Sequence, residues 1–353
     1  MRIIHTGDIH LGSGGGKLPM GLAKTRRREI TDAFVRMFDY AKENNVKTVI
    51  IAGDLFDKAN PPNSLKREAL QIMGGFNGTV IYVKGNHDAK IEFDKTEFAI
   101  PKNLKIVCNT KWSYTTKENV TIASIDAQQQ NGEGFYEGLD LDEKHFNIVV
   151  LHGSAIIPMQ RLRGKNIDYL ALGDIHIPDT KFRKLDNRGV FGYAGCLEGR
   201  GFDEPGERGF FVLDIEHNTM KRTFIPQAKR LYRVVEVDIT GLETHSAVEM
   251  KVRMALQQID KSDIVRVKLF GKYTAESHRD VDALAEKLRE EYFWAEVIDE
   301  SRLDRTNLTP PSDEISLVSR FMRMVGEAEL DETQKDKVIE YALKALTGEE
   351  IAI

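Results

Sequence analysis

Five short apolar runs in this chain end abruptly, and each end is followed by side chains that can ligate metals. Arg2 to Thr6 stops at Gly7-Asp8-Ile9-His10, Thr48 to Ala52 at Gly53-Asp54-Leu55-Phe56-Asp57, and Thr79 to Val83 runs on into Gly85-Asn86-His87-Asp88. Asn147 to Leu151 stops at His152-Gly153, and Tyr169 to Leu172 at Gly173-Asp174-Ile175-His176. Runs this short and this rich in Ile and Val predict buried strands. The Asp8-x-His10 pair is weak alone: an extended backbone would send both side chains to one side, but such a pair also arises by chance at a polar strand end. Five such ends in one chain are hard to explain by chance. They fall where α/β sheets keep their sites, at the carboxyl ends of strands.

Between the first three runs the pattern turns helical. Ile30, Phe34, Met37, Phe38 and Ala41 form one apolar face over about Leu22 to Asn44, and a second helix is expected over Ser64 to Gly74. Strand, motif and helix three times over predict a mostly parallel sheet covered by helices. Shorter strands are expected over residues 104–126, then a polar loop over 128–138, and further strands at 181–185, 189–194 and 209–215. A second sheet follows, so the expected fold class is α/β, a two-sheet sandwich flanked by helices. Residues 1–225 make that domain, and the character changes near Pro226. Residues 230–302 read as a small α+β (βαβαβ) domain, 303–311 as a linker ending in Pro-Pro, and 312–353 as a pair of helices whose first begins at a capping Ser312. The apolar stripe of that first helix, Ile315, Val318, Phe321, Met322 and Val325, is too small for a core of its own. It packs on the small domain or meets a partner.

Composition narrows the class. Among 353 residues, 41% hydrophobic and 30% charged describe a soluble globular chain. The formal charge of −5 gives no global sign of nucleic-acid binding, although an acidic site can mask local basic patches. Two cysteines, Cys108 and Cys196, make neither a disulfide framework nor a thiolate zinc site. No apolar run approaches the roughly 18 residues of a membrane span, and the first residues do not resemble a signal peptide. A cytoplasmic location is expected. The glycine-rich stretch at 13–19 lacks the Gly-Lys-Ser/Thr ending of a phosphate-binding loop.

The candidate ligands are Asp8, His10, Asp54, Asn86, His152, Asp174 and His176. Carboxylates, an amide and imidazoles without thiolate suit Mn2+ best, with Mg2+, Fe2+ or Zn2+ as alternatives. Seven are too many for one ion and fit two that share a bridge. Two ions roughly 3.5–4 Å apart can hold a phosphate and activate water for in-line attack. Phosphate contacts to DNA would need cations near the site. Candidates are Arg26, Arg27 and Arg28, then Arg161, Arg163 and Lys165, Lys181 to Lys184, and the hinge cluster Lys229, Arg230 and Arg233. Arg26 to Arg28 lie near a helix start, where positive charge opposes the dipole, so either a DNA backbone or simple solvation accounts for them.

Asp-x-His, Gly-Asp-x-x-Asp, Gly-Asn-His-Asp, a lone His-Gly and Gly-x-x-His, in this order, resemble the signature of the calcineurin-like metallophosphoesterases. Within that family, Tyr169 to His176 and the string Gly-Arg-Gly-Phe-Asp-Glu-Pro-Gly-Glu-Arg-Gly-Phe at 199–210 are similar to the SbcD branch, nuclease subunits that pair with the SMC-like ATPase SbcC. The resemblance implies one ion on Asp8, His10, Asp54 and His176, and another on Asp54, Asn86, His152 and Asp174, with Asp54 bridging. It implies that His87 lies beside the ions and stabilises the transition state or protonates the leaving oxygen, with Asp88 holding its far nitrogen. Asp174 stands where the family often has histidine, which should tighten hard ions. The resemblance further implies exonuclease action on duplex ends, endonuclease action on single strands or hairpins, and a role in double-strand-break repair. It places a DNA-capping role on the small domain, ATPase docking on the terminal helices, and a homodimer interface on helices near the start and at 60–75. Two other readings stay open: a phosphoesterase for small phosphodiesters or phosphoproteins, and a non-catalytic DNA-end tether.

Overall fold

The computed structural model describes all residues except 17, 95, 109–110, 127–133, 155–156, 275–276, 278, 305–316 and 348–353. In chain order the first part runs β1 (Arg2–Thr6), α1 (Met20–Glu43), β2 (Thr48–Ala52), α2 (Asn63–Gly74), β3 (Thr79–Val83), β4 (Leu104–Val107), β5 (Ser113–Lys117), β6 (Val120–Ser124), β7 (Phe146–His152), α3 (Met159–Leu162), β8 (Tyr169–Gly173), β9 (Arg183–Lys184), β10 (Val190–Tyr193), β11 (Gly209–Glu216) and β12 (Thr219–Pro226). One six-stranded sheet has the order β12-β11-β1-β2-β3-β4, the other β5-β6-β7-β8-β10-β9. The strands that end in the ligand motifs are mutually parallel within each sheet.

Three apolar layers follow from this arrangement. Ile3, Ile50, Ile81 and Val83 of the first sheet meet Ile122, Ile148, Val150 and Ala171 of the second in the middle of the sandwich. Phe34, Met37 and Phe38 of α1 cover the outer face of the first sheet with Ala69, Leu70 and Met73 of α2. Leu162 and Ile167 pack against Val149, Leu151 and Leu170 on the outer face of the second. Strands buried on both faces read as continuous apolar runs, and each fully buried Ile, Val or Leu contributes roughly 1.5–3 kcal/mol. The apolar face expected on α1 is fully buried.

Two features differ from the sequence reading. Thr219 to Pro226, for which no strand was expected, is a strand that pairs with β11 along its whole length. His217 and Asn218, both at positive φ, make the two-residue turn between them. Its side chains alternate between exposed and half-buried, as befits an edge strand, so no apolar run marks it. The first compact unit also reaches Leu231 rather than 225. The reason is a buried charge network. Arg26 pairs with Glu29 and, at 3.0 Å, with Glu198, and Arg230 pairs with the same Glu29. Arg36 reaches Glu198 at 3.3 Å.

The second unit, Tyr232–Ile353, contains β13 (Tyr232–Asp238), α4 (His245–Ala255), β14 (Ile264–Phe270), β15 (Lys272–Tyr273), α5 (Val281–Arg289), β16 (Trp294–Asp299), β17 (Arg302–Leu303), α6 (Leu317–Glu327) and α7 (Glu332–Thr347). β13, β14 and β16 form a parallel sheet, the expected βαβαβ unit, with Val248, Val252, Leu284 and Leu288 of its helices in the core. Val325 of α6 and Ile339 of α7 pack with Tyr273 and Leu303, so the helix pair belongs to this unit. Most of the expected linker, the start expected at Ser312, Ile315 of the stripe and residues 128–133 of the expected loop lie outside the described residues. Among the described residues no helix is long and apolar enough to cross a membrane.

One buried histidine gives the fold a measurable pH dependence. His5, fully buried in β1, contacts Tyr169 Oη at 2.9 Å and the Leu172 carbonyl at 3.2 Å. Burial, helped by the Arg222 charge, pushes its pKa from 6.5 down to about 3. The unfolded chain therefore takes up a proton that the folded chain refuses, and stability is lost as pH falls below about 6.5 towards 3. Between pH 6.5 and 5.5 the wild type should lose about 1 kcal/mol more than His5→Gln. Urea unfolding of both proteins at the two pH values checks this; equal losses would refute it.

Candidate metal centre

The site gathers the ends of five strands. Register aligns them: Thr6 lies beside Ile51, Ala52 beside Val83, and His152 beside Gly173. Just past the ends of β1, β2 and β8 the backbone goes left-handed. Asp8, His10 and Asp54 have φ of 49°, 50° and 50°, and Asp174 has 106°. Such angles are uncommon for residues with a Cβ and cost of order 1–3 kcal/mol each, but Asp and His tolerate them better than most. Asp8 N–H donates to the Gly53 carbonyl at 3.0 Å and His10 N–H to the Asp54 carbonyl at 2.9 Å, which holds the first two turns side by side. Gly53 itself has φ of 90°, and a Cβ there would overlap the His152 imidazole.

These turns gather carboxylates and imidazoles into three overlapping groups. Asp8 with His10 and His176, Asp8 with Asp54 and His152, and His10 with Asp54 and His87 each bring their donor atoms within 4.8 Å of one another. Asp8, His10, Asp54 and His152 form a buried floor, with at most 2% exposure. Asn86, His87, Asp174 and His176 form a rim open to solvent. Asn86 Oδ1 lies 2.9 Å and Asp174 Oδ1 4.0 Å from His152 Nε2.

Electrostatics follow from that burial. Burial pushes the Asp8 carboxyl up to about 6, despite opposing charges on His152 and His176. Burial and the charges of Arg200, His176, His87 and His152 hold His10 far below the ordinary histidine value. Burial also disfavours charge on His152, but Asp8 and Asp54 outweigh it and the pKa rises. His152 Nδ1 donates to the Ala52 carbonyl at 2.8 Å, which turns Nε2 inward as a ligand atom. His10 Nδ1 is buried without a hydrogen bond. Oxygen and imidazole donors, two buried carboxylates and an inward-facing Nε2 together fit divalent cations.

Asp88 requires a correction. It does not hold His87. Its Oδ1 accepts from Gly85 N–H at 2.6 Å, its Oδ2 from Leu55 N–H at 2.7 Å and from the Tyr82 hydroxyl, and it is fully buried. His87 Nδ1 instead donates to the Asp57 carbonyl at 2.7 Å, and its ring stands edge-on to His10 with centroids 4.8 Å apart. Asp88 is a structural clasp between the ends of β2 and β3.

The cations divide likewise. Arg26 and Arg230 are buried in the Glu29 and Glu198 network, so neither guanidinium is available to a DNA backbone. Arg27 and Arg28 line a cleft of about 500 Å³ with Lys24 and Lys58, and Asp57 lies on the same wall. Arg28 is also paired with Asp32 and Glu68. Arg161, Arg163 and Lys229 are exposed and Lys165 is half-buried. Arg163 donates to the Leu185 carbonyl at 3.1 Å.

Sequence reasoning gave no role to Arg200 and Glu204. Arg200 bridges Asp57 at 3.3 Å and Glu204 at 2.9 Å, and Glu204 reaches His176 Nδ1 at 2.6 Å. Burial would raise Glu204, but His176 and Arg200 bring it down to about 2. The signal for these residues was the charged string at 199–210, read only as a mark of resemblance.

Because a Cβ on Gly53 meets His152 and suffers a left-handed φ, Gly53→Ala should displace that ring. The expected outcome is a folded protein that binds Mn2+ at least about tenfold more weakly. Calorimetric titration with Mn2+ decides; wild-type affinity would show that the close approach is not needed.

Residues 1–187 match the family model described as calcineurin-like phosphoesterase. The uncharacterized metallophosphoesterase YhaO of Bacillus subtilis is 26% identical over 88% of this chain and 84% of its own length. Two proteins named DNA double-strand break repair protein Mre11 are also similar. That of Haloferax volcanii is 28% identical over 77% of this chain, which spans only 62% of that relative. That of Methanopyrus kandleri is 22% identical over 99% of this chain and 82% of the relative. The family match covers the five strand ends and every ligand candidate placed on them, and the chain belongs to the calcineurin-like phosphoesterases.

Proposed function

We propose that this protein is a two-metal phosphodiesterase that cuts DNA backbone phosphodiesters, as an exonuclease on duplex ends and an endonuclease on single strands or hairpins. Its setting would be double-strand-break repair, with an SMC-like ATPase as partner. The observation that carries this reading is the division of the donor cluster into a dry floor and an open rim. A floor of Asp8, His10, Asp54 and His152 suits bound cations, while Asn86, His87, Asp174 and His176 leave one side open to a phosphate. The similarity to the two repair proteins supports DNA as the substrate.

One ion would be held by Asp8, His10, Asp54 and His176, the other by Asp54, Asn86, His152 and Asp174, with Mn2+ the expected metal. Bound there, divalent ions supply Lewis acidity towards a phosphoryl oxygen and a more acidic water. The Nδ1–H bond of His87 to the Asp57 carbonyl fixes that ring and leaves Nε2 facing outward; in the imidazolium form Nε2–H gives its proton to the leaving oxygen and the ring becomes neutral. Arg27 and Arg28 beside the cleft, with Arg161, Arg163, Lys165 and Lys229, are the side chains proposed to follow the DNA backbone. The terminal helices are the proposed ATPase dock, since Met324 and Tyr341 remain exposed there. A homodimer through α1 and α2, and a cytoplasmic setting, complete the reading.

The test is a time course on linear duplex DNA, end-labelled on each strand in turn, with Mn2+ or Mg2+ and a chromogenic phosphodiester alongside. Metal-dependent shortening is expected, and His87→Ala should slow it by about a hundredfold or more while the protein stays folded. Turnover of the small ester without cutting of DNA would point to a small-substrate enzyme. Inactivity on both, even with the ATPase present, would favour a tether.

A second expectation concerns the dock. Met324→Glu combined with Tyr341→Glu should leave DNA cutting intact and abolish co-purification with the ATPase. Persisting co-purification would refute that surface.

A further inference from the structure

The segment Glu198 to Arg208 brings a buried carboxylate up behind one of the imidazoles of the metal centre. Glu204 is 4% exposed, and its Oε1 lies 2.6 Å from His176 Nδ1. Oε2 accepts from Arg200 N–H at 2.8 Å and from the Cys196 thiol at 3.6 Å. The Arg200 guanidinium lies 2.9 Å from Oε1 and 3.3 Å from Asp57, so both arms of the arginine are anchored. We propose that Glu204 is a positioning residue for metal binding: its carboxylate, fixed by Arg200, accepts the Nδ1 proton of His176 and so presents Nε2 as a strengthened ligand. This rests on the reading that His176 holds an ion.

The proton can be placed by elimination. A carboxylate that faces a guanidinium and accepts a backbone N–H is ionised and has no proton to give, so the hydrogen of the short contact belongs to Nδ1. Arg200 Nη2 also lies 2.7 Å from Nδ1 and 3.3 Å from Nε2, but it donates to Glu204 Oε1 at 2.9 Å, which leaves the Nδ1 hydrogen to the same carboxylate oxygen. With Nδ1 protonated, the neutral ring keeps its lone pair on Nε2, and that atom lies 3.3 Å from His10 Nε2 inside the cluster.

Comparison of the three imidazoles shows why this one needs the help. His152 and His10 are buried and fixed by packing, with a neutral carbonyl behind the first and no hydrogen bond on Nδ1 of the second. The side chain of His176 is 26% exposed and stands on the rim. A carboxylate behind a ligating imidazole fixes its tautomer and orientation and raises its basicity; losing such a partner typically costs about 10–100-fold in metal affinity.

The test is calorimetric titration of Mn2+ into metal-free full-length protein, with wild type, Glu204→Gln, His176→Ala and the double variant compared. Circular dichroism monitors folding. Glu204→Gln is expected to fold and to bind one Mn2+ at least about tenfold more weakly. In the double variant no loss beyond that of His176→Ala is expected, because Glu204 acts only through that ring. Wild-type affinity in Glu204→Gln, with a site lost in His176→Ala, would overturn the proposal and leave the metal reading standing. Wild-type binding by His176→Ala would overturn both. Should Glu204→Gln fail to fold, Glu204→Asp keeps the charge on Arg200 but withdraws the oxygen from Nδ1. The same loss is expected of it, and wild-type affinity would again overturn the proposal.

Discussion

Two carboxylates held out of water within 4.8 Å of each other set the terms for this molecule. Asp8 and Asp54 repel each other, and both are buried, with at most 2% exposure. A buried charge without compensation costs far more than one fold feature can return. Their surroundings therefore supply backbone donors. Asp174 N–H donates to Asp8 at 2.9 Å and His87 N–H to Asp54 at 2.9 Å. What remains uncompensated is the affinity for cations.

Holding that arrangement takes rigidity. The strand registers fix where each turn begins, and the three apolar layers keep the sheets from slipping. A one-residue slip would turn every side chain of a strand to the opposite face. The clasp of Asp88 on Leu55, Gly85 and Tyr82 binds the second and third strand ends into one unit. The charge network around Glu29 and Glu198 then fixes the first helix to the far end of the same domain. Such networks are poor sources of stability, but breaking one partner is costly, so they discourage alternative packings.

Much of this was legible because local pattern and global role coincide. Glycine after an apolar run marks a strand end, and the residues that follow can be read as ligands without knowing the topology. The face Ile30, Phe34, Met37, Phe38 and Ala41 likewise declares itself by spacing. Reading failed where the partner lies far away in sequence. The resemblance gave Asp88 to His87, but Asp88 turns instead to Gly85, Tyr82 and, 33 residues back, Leu55. Arg26 looked like one of three surface arginines until Glu198, 172 residues on, was found against it. The strand β12 carries alternating polar residues with no apolar run, so only its pairing defines it.

The left-handed turns at Asp8, His10 and Asp54 also bear on how a silenced form of this protein should be made. Alanine, the habitual choice, has a Cβ and no polar group to ease a φ near 50°, so it removes a ligand and strains the turn together. Asparagine is at ease in that region, and glycine is free of the penalty altogether. A metal-free scaffold with its turns intact is better built with glycine than with alanine, while asparagine keeps the turn but also an amide oxygen that can still reach a cation.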